Sequence, residues 1–188
     1  MTDISKIKET ARKVAYGVRK MVHGQGLDEA ANRNLLGHVA LFPKAEIVSA
    51  YMPIRTEVSP IAAMTILHGQ GKRVCVPVIE GPAKPLLFQE WTPDCQMVDG
   101  PFGAAVPAGG PFLQPDLLVT PLLAFDRKCY RLGYGGGFYD RSFEQLGKVK
   151  PVIGIGFAYS AQEIRKVPRD QHDHRLDAIV TEVGVLKR

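Results

Sequence analysis

The sequence predicts an α/β fold of three layers: a mostly parallel central sheet with helices on both of its faces. Three observations predict it. The runs EIVSAYM, KRVCVPVI, PLLFQEW, DLLVTPLLAF, KPVIGIGFA and LDAIVTEVGVL are short and β-rich, and several are apolar without alternation, the pattern of strands covered on both sides. Helical patterns are interspersed among them. The 188 residues make one domain, 1–188, long enough to bury a core without disulfides or a structural metal. With 45% hydrophobic and 23% charged residues, the composition excludes a disordered chain.

The first element is a helix over residues 4–22. Ile4, Ile7, Ala11, Val14, Val18 and Met21 recur at spacings of three and four and draw one apolar stripe along it. Its other face carries Lys8, Arg12 and Arg19, close together at steps of four and seven. Like charges so placed weaken a helix slightly. The first 22 residues hold six basic side chains against two acidic ones, which accounts for +4 of the net charge of +5. Such a segment is either a solvated amphipathic face or a binding site for an anion.

A second helix is expected from Asp28 to Phe42. A third is expected to run from Ser59 as N-cap, with Pro60 at the first helical position, to about His68. The Pro/Gly-rich stretch from Gly100 to Pro115 has no sustained period and reads as a surface excursion. No apolar run reaches the roughly 20 residues that a spanning helix requires, and MTDISKIKETARK lacks the apolar core of a signal peptide. Cys75, Cys95 and Cys129 form no CxxC pair, so neither a disulfide framework nor a zinc knuckle is expected. Free thiols fit a reducing compartment, and cytoplasmic residence is the expectation.

The segment RLGYGGGFYD, Arg131 to Asp140, places four glycines within five positions. It follows the strand DLLVTPLLAF and a turn at DRKCY, and it precedes FYDRSFEQL, where Tyr139, Phe143 and Leu146 recur at helical spacing. Strand, glycine loop and helix is the order in which open α/β sheets place a ligand at the carboxyl ends of their strands. Backbone N–H groups of glycine can turn toward one anion, and a helix start adds a favourable dipole. Neither familiar phosphate motif fits: Walker A needs Gly-Lys-Ser/Thr after the loop, and the dinucleotide fingerprint meets Phe138 where it wants a small residue. A phosphate cradle and a mobile loop or tight backbone crossing both stay open on composition. Asp140 is a cap at the helix start or a ligand for a divalent cation lying between it and a phosphate.

The run AFDRKCYRLGYGGGFYDR resembles the signature of the 5-formyltetrahydrofolate cyclo-ligase family. KETAR near the start, YMPIRTEVSP after the first strand and HDHRLDAIVTE near the C-terminus agree with it in order. The resemblance implies a fold like that of the NagB/RpiA/CoA transferase class. It also implies an ATP-dependent, magnesium-assisted conversion of 5-formyltetrahydrofolate to 5,10-methenyltetrahydrofolate with release of ADP and phosphate. In that scheme the formyl oxygen takes the γ-phosphoryl group, and N10 then closes on the activated carbon.

By matching position, the resemblance puts Lys8 and Arg12 on the ATP phosphates. It wraps Arg131, Leu132, Gly133, Tyr134, Gly135, Gly136, Gly137, Phe138 and Tyr139 around the nucleotide. Arg131, Tyr139 and Asp140 carry the catalytic roles. Met52 and Glu57 line the folate pocket, where Tyr134, Gly135, Gly136, Gly137 and Phe138 face the same substrate. Asp140 and Asp177 hold magnesium, and Trp91 packs near the pocket or belongs to the core. Val106 stands where the family commonly has glutamate, Phe138 where tyrosine is usual, and RTEVSP where RTEVDT is frequent.

Other classes fare worse. His172 and His174 with Asp173 lack a third clustered His or Cys for zinc, and no GxSxG elbow supports a hydrolase. A nucleic-acid binder would need more than one basic helix with a single aromatic, Tyr16. No nucleic acid, no membrane and a monomeric state are expected. The alternative kept is a relative with the same ATP site and a changed second substrate.

Overall fold

A computed structural model describes residues 3–188. The chain begins with α1 (Asp3–Val22) and α2 (Asp28–Val39), then β1 (Ile47–Ser49) and α3 (Ile61–Gly69). Next come β2 (Arg73–Val78), β3 (Leu87–Trp91), β4 (Met97–Asp99), β5 (Ala105–Pro107), β6 (Leu117–Pro121) and β7 (Ala124–Phe125). β8 (Arg131–Leu132), α4 (Phe138–Gly147), β9 (Ile153–Phe157), β10 (Ala178–Thr181) and β11 (Gly184–Lys187) complete it.

Seven strands form one sheet in the order β11-β10-β9-β6-β1-β2-β3. The five inner strands are parallel, and β3 and β11 pair antiparallel at the two edges. Successive residues alternate between faces as the pleat requires. Val74 and Val76 of β2 and Leu117 and Val119 of β6 pack against Leu35 and Val39 of α2 and Met64 of α3. Cys75 and Leu118 point the other way, toward Phe143 and Leu146 of α4. Helices therefore cover both faces, as the non-alternating strands predict. Each fully buried Leu or Val of these clusters contributes about 1.5–3 kcal/mol relative to exposure. α4 packs tightly on Gly154 of β9, where a Cβ would lie 2.9 Å from the Phe143 ring.

Four expectations are corrected. DLLVTPLLAF is two strands, because Pro121 has no N–H with which to continue a ladder, and the chain turns into β7. LDAIVTEVGVL likewise folds back into the hairpin β10–β11. α2 ends at Val39 rather than Phe42, in tight turns where Leu41 and Phe42 donate to the carbonyls of His38 and Val39. α3 starts one residue later than expected: Pro60 takes the cap position, while the Ser59 carbonyl accepts from Asn32 Nδ2 at 2.7 Å. The 100–115 excursion is irregular apart from a short 3₁₀ turn and β5, which pairs with β4.

The largest correction concerns α1. Half of its apolar stripe faces outward, with Ile7, Val14 and Met21 exposed by 48, 65 and 68%, while Ile4, Ala11 and Val18 are only partly buried. Ala15 instead packs with Leu123, Ala124, Leu132 and Val167, and Arg19 is 1% exposed. The face carrying the cations is the one turned inward, because backbone carbonyls, hydroxyls and carboxylates there satisfy each positive charge. Among the described residues no helix is long and apolar enough to cross a membrane.

Candidate active site

A cavity of about 1220 Å³ opens at the carboxyl ends of the parallel strands, where open α/β sheets bind ligands. Its floor comes from Tyr51 and Met52 after β1, Pro77 and Ile79 of the β2 end, and Pro121 of β6. One wall is the glycine segment with the start of α4; the loop 171–175 and the cationic face of α1 close the rim.

The glycine segment is a built turn. Gly135 has φ +101° and Gly137 φ +65°, conformations that side chains rarely adopt, and Gly137 caps α4. Arg12 Nε donates to the Gly133 carbonyl at 2.9 Å. Its guanidinium then lies flat across the turn, so that a Cβ on Gly135 would sit 3.0 Å from Arg12 Cζ. Lys8, one turn earlier on α1, is held by Asp170 at 2.8 Å and Asp173 at 2.7 Å. Lys8 and Arg12 thus line one cavity with the glycine segment. Leu132 and Phe138 line it too, with the Phe138 ring 6.5 Å from Phe102.

Arg131 is buried at the base of this wall. It donates to Asp140 Oδ1 at 2.8 Å and to the His174 carbonyl at 3.1 Å, while the His174 N–H donates to the same Asp140 oxygen at 3.0 Å. Asp140 is therefore not a helix cap: it ties α4 to the 170s loop and lines the cavity. The His174 ring stacks on Phe143 at 4.1 Å, and its pKa is lowered by burial and then by Arg131. Asp177 lies outside the lining. Its Oδ2 accepts from the Gly154 N–H at 2.8 Å, and its Oδ1 is 3.8 Å from Arg188, a cavity-lining residue. Among the described residues no group of three or more His, Cys, Asp or Glu is placed to hold a metal. Asp140 in the lining is a hard oxygen donor of the kind magnesium takes, one or two carboxylates beside phosphate oxygens and water.

Beyond Met52 the opposite side of the lining bears Ile54 and Glu57. Glu57 is 3% exposed and accepts from the Ile54 N–H and the Tyr134 hydroxyl, both at 2.9 Å. Burial pushes its pKa up, against the opposing pull of these two donors and of Arg19. Tyr139 is half-buried in the cavity lining with its hydroxyl enclosed, and burial raises its pKa far above the phenol range. Among the described residues its hydroxyl has no hydrogen-bond partner, which is uncommon for a buried polar atom. Trp91 does not serve this wall: it is 5% exposed in the core cluster beneath α2 and α3. Val106 pairs with Val98 in the β4–β5 hairpin, away from the lining. Arg19 was not read from sequence as a site residue. Its step of seven from Arg12 on the cationic face was the available signal.

The family model for the 5-formyltetrahydrofolate cyclo-ligase family matches residues 7–182. The chain belongs to this family. A 5-formyltetrahydrofolate cyclo-ligase of Haemophilus influenzae is 36% identical over 136 residues, covering 69% of this chain and 72% of the relative. One from Escherichia coli K12 is 34% identical over 145 residues, covering 73% and 78%. The solved 5,10-methenyltetrahydrofolate synthetase of Aquifex aeolicus superposes with a TM-score of 0.76 at 30% identity, over 96% of this chain and 92% of that one. That of Mycoplasma pneumoniae gives 0.71 at 25% identity, over 93% and 98%.

Proposed function

We propose that this cyclo-ligase family member closes 5-formyltetrahydrofolate to 5,10-methenyltetrahydrofolate at the expense of ATP, releasing ADP and phosphate. The observation that carries the reading is one undivided cavity. The glycine turn with Arg12 lies on one wall, and the apolar and acidic surface of Met52, Ile54 and Glu57 lies on the other. A phosphate donor and a flat, donor-rich pterin fit side by side there.

The chemistry asks little of a protein nucleophile. An amide oxygen leaves poorly, and its phosphate ester leaves well, so the site must position two ligands and neutralise charge. Gly133 to Gly137 present backbone N–H groups to the polyphosphate, with Arg12 and, once released from its aspartates, Lys8 supplying positive charge. Arg131 and Tyr139 face the reacting groups, and Asp140 would hold magnesium on the phosphates. Asp177, which reaches the cavity only through Arg188, is the second candidate ligand. When bound, magnesium would neutralise charge on the phosphate oxygens. Glu57 accepts N–H groups of the pterin edge, and Met52 packs on its face. Cytoplasmic residence and a monomeric state belong to this reading.

The test is direct. Protein, MgATP and 5-formyltetrahydrofolate are mixed at neutral pH, and methenyl absorbance near the red edge of the ultraviolet is followed. ATP-dependent growth of that absorbance is expected; well-folded protein that binds ATP and forms no methenyl product would overturn the reading.

A further inference from the structure

Arg19 heads the largest side chains buried below 2% among the described residues. Burying a guanidinium costs several kcal/mol unless its donors are met, and packing alone gives no reason for it, since Ala15 fills the same face one turn earlier. Every arm is engaged. Nε donates to Thr56 Oγ1 at 3.0 Å, Nη1 to the Leu122 carbonyl at 3.3 Å, and Nη2 to the Tyr134 hydroxyl at 2.6 Å. Nη1 also lies 3.7 Å from Glu57 Oε1. The guanidinium stands over the Tyr134 ring at 5.4 Å.

This set has a direction. A guanidinium only donates, so the Tyr134 oxygen accepts from Arg19, and its own hydrogen goes to Glu57 Oε1, 2.9 Å away. Tyr134 belongs to the glycine segment, whereas Glu57 follows β1. One side chain from α1 therefore joins the two walls of the cavity and leaves Glu57 an acceptor toward whatever lies before it.

We propose that Arg19 is a positioning residue for ring closure: through Tyr134 it orients the Glu57 carboxylate and locks the nucleotide wall to the folate wall. This rests on the cyclo-ligase reading. The groups facing Glu57 are Arg19, Arg55, Tyr134, Tyr51 and Tyr139, of which only Arg19 both approaches the carboxylate and bonds its tyrosine partner.

Steady-state kinetics of Arg19→Met, Arg19→Lys and Tyr134→Phe test it, each substrate varied separately. Arg19→Met is expected to raise KM for 5-formyltetrahydrofolate about tenfold or more and KM for ATP by less than about threefold. The acid limb of kcat/KM for the folate moves up by about one unit, since a nearby cation favours the charged carboxylate. Tyr134→Phe shifts both in the same direction by less, and Arg19→Lys, which keeps charge but not the fork, falls between. In a Glu57→Gln background, Arg19→Met costs less than about threefold more. Should Arg19→Met fail to fold, Tyr134→Phe and the double variant lacking both charges carry the test. Equal effects on both substrates, an unmoved acid limb or additive losses in the double variant would overturn the proposal. A wild-type protein that forms no methenyl product would instead overturn the cyclo-ligase reading.

Discussion

Lys8 Nζ and Asp173 Oδ2 stand 2.7 Å apart although 165 positions separate them in the chain. Burial pulls the lysine pKa down, but Asp170 and Asp173 outweigh it, and the net shift is upward. The ammonium thus stays charged at the cavity rim and can be passed from two carboxylates to a polyphosphate. Lys8→Ala is expected to raise KM for ATP roughly ten- to a hundredfold, the equivalent of a charge-assisted hydrogen bond of about 1.5–3 kcal/mol. KM for the folate should change little, and an unchanged KM for ATP would remove Lys8 from the nucleotide site.

Gly135→Ala places a methyl group 3.0 Å from Arg12 Cζ at a backbone φ of +101°. Strain of this kind costs about 1–3 kcal/mol, relieved in part by displacing Arg12. Calorimetry should find a modestly lower Tm. The loss in kcat/KM for ATP should be similar to that of Arg12→Ala, and the two losses should not add, because both act through one contact.

Tyr139→Phe separates stability from activity. The hydroxyl is buried without a partner among the described residues, so removing it relieves up to about 1–3 kcal/mol of desolvation and should leave Tm unchanged or higher. Turnover should nevertheless fall about tenfold, because the same oxygen finds its partner in a ligand. A fall in both would assign Tyr139 to packing.

Asp140→Asn keeps the shape of the bonds to Arg131 and the His174 N–H and removes the charge. We expect turnover to collapse or to need far more magnesium, read from activity against free metal concentration. Wild-type metal dependence in this variant would end the assignment of Asp140 as the magnesium carboxylate.

Glu57 makes a prediction about pH. Burial raises its pKa above the ordinary value of 4.5, so the folded chain binds more protons than the unfolded chain above that pH. Stability contributed at this site therefore falls as pH rises from 4.5 through the folded pKa, the reverse of a paired surface carboxylate. Melting curves of wild type and Glu57→Gln across this window should diverge, with wild type losing ground as pH rises; parallel curves would show that Glu57 titrates normally.

The mostly parallel sheet and its two-sided cover were legible because strands buried on both faces announce themselves as apolar runs, whereas the strand order was not. Composition marked RLGYGGGFYD as unusual without deciding between a phosphate cradle and a mobile loop, and it was the family resemblance that joined it to Lys8 and Arg12, which line the same cavity. The orientation of α1 was not legible. Hydrophobic period finds the face that avoids water, and it fails where a helix turns Arg19 inward to bond Thr56, Leu122 and Tyr134, partners that come from distant parts of the chain. For Trp91 the sequence left the pocket and the core both open, and the residue belongs to the core.

The clamp of Lys8 on Asp170 and Asp173 has a consequence for biosynthesis. The glycine turn and the cationic helix are both made long before residue 170, yet the carboxylates that restrain Lys8, and the His174 backbone that fixes Asp140, come with the final segment. A ribosome-bound chain stalled short of that point would carry Lys8 without its two aspartates and Asp140 without the His174 N–H. Release of the last strands is what turns that half-built pocket into a working one.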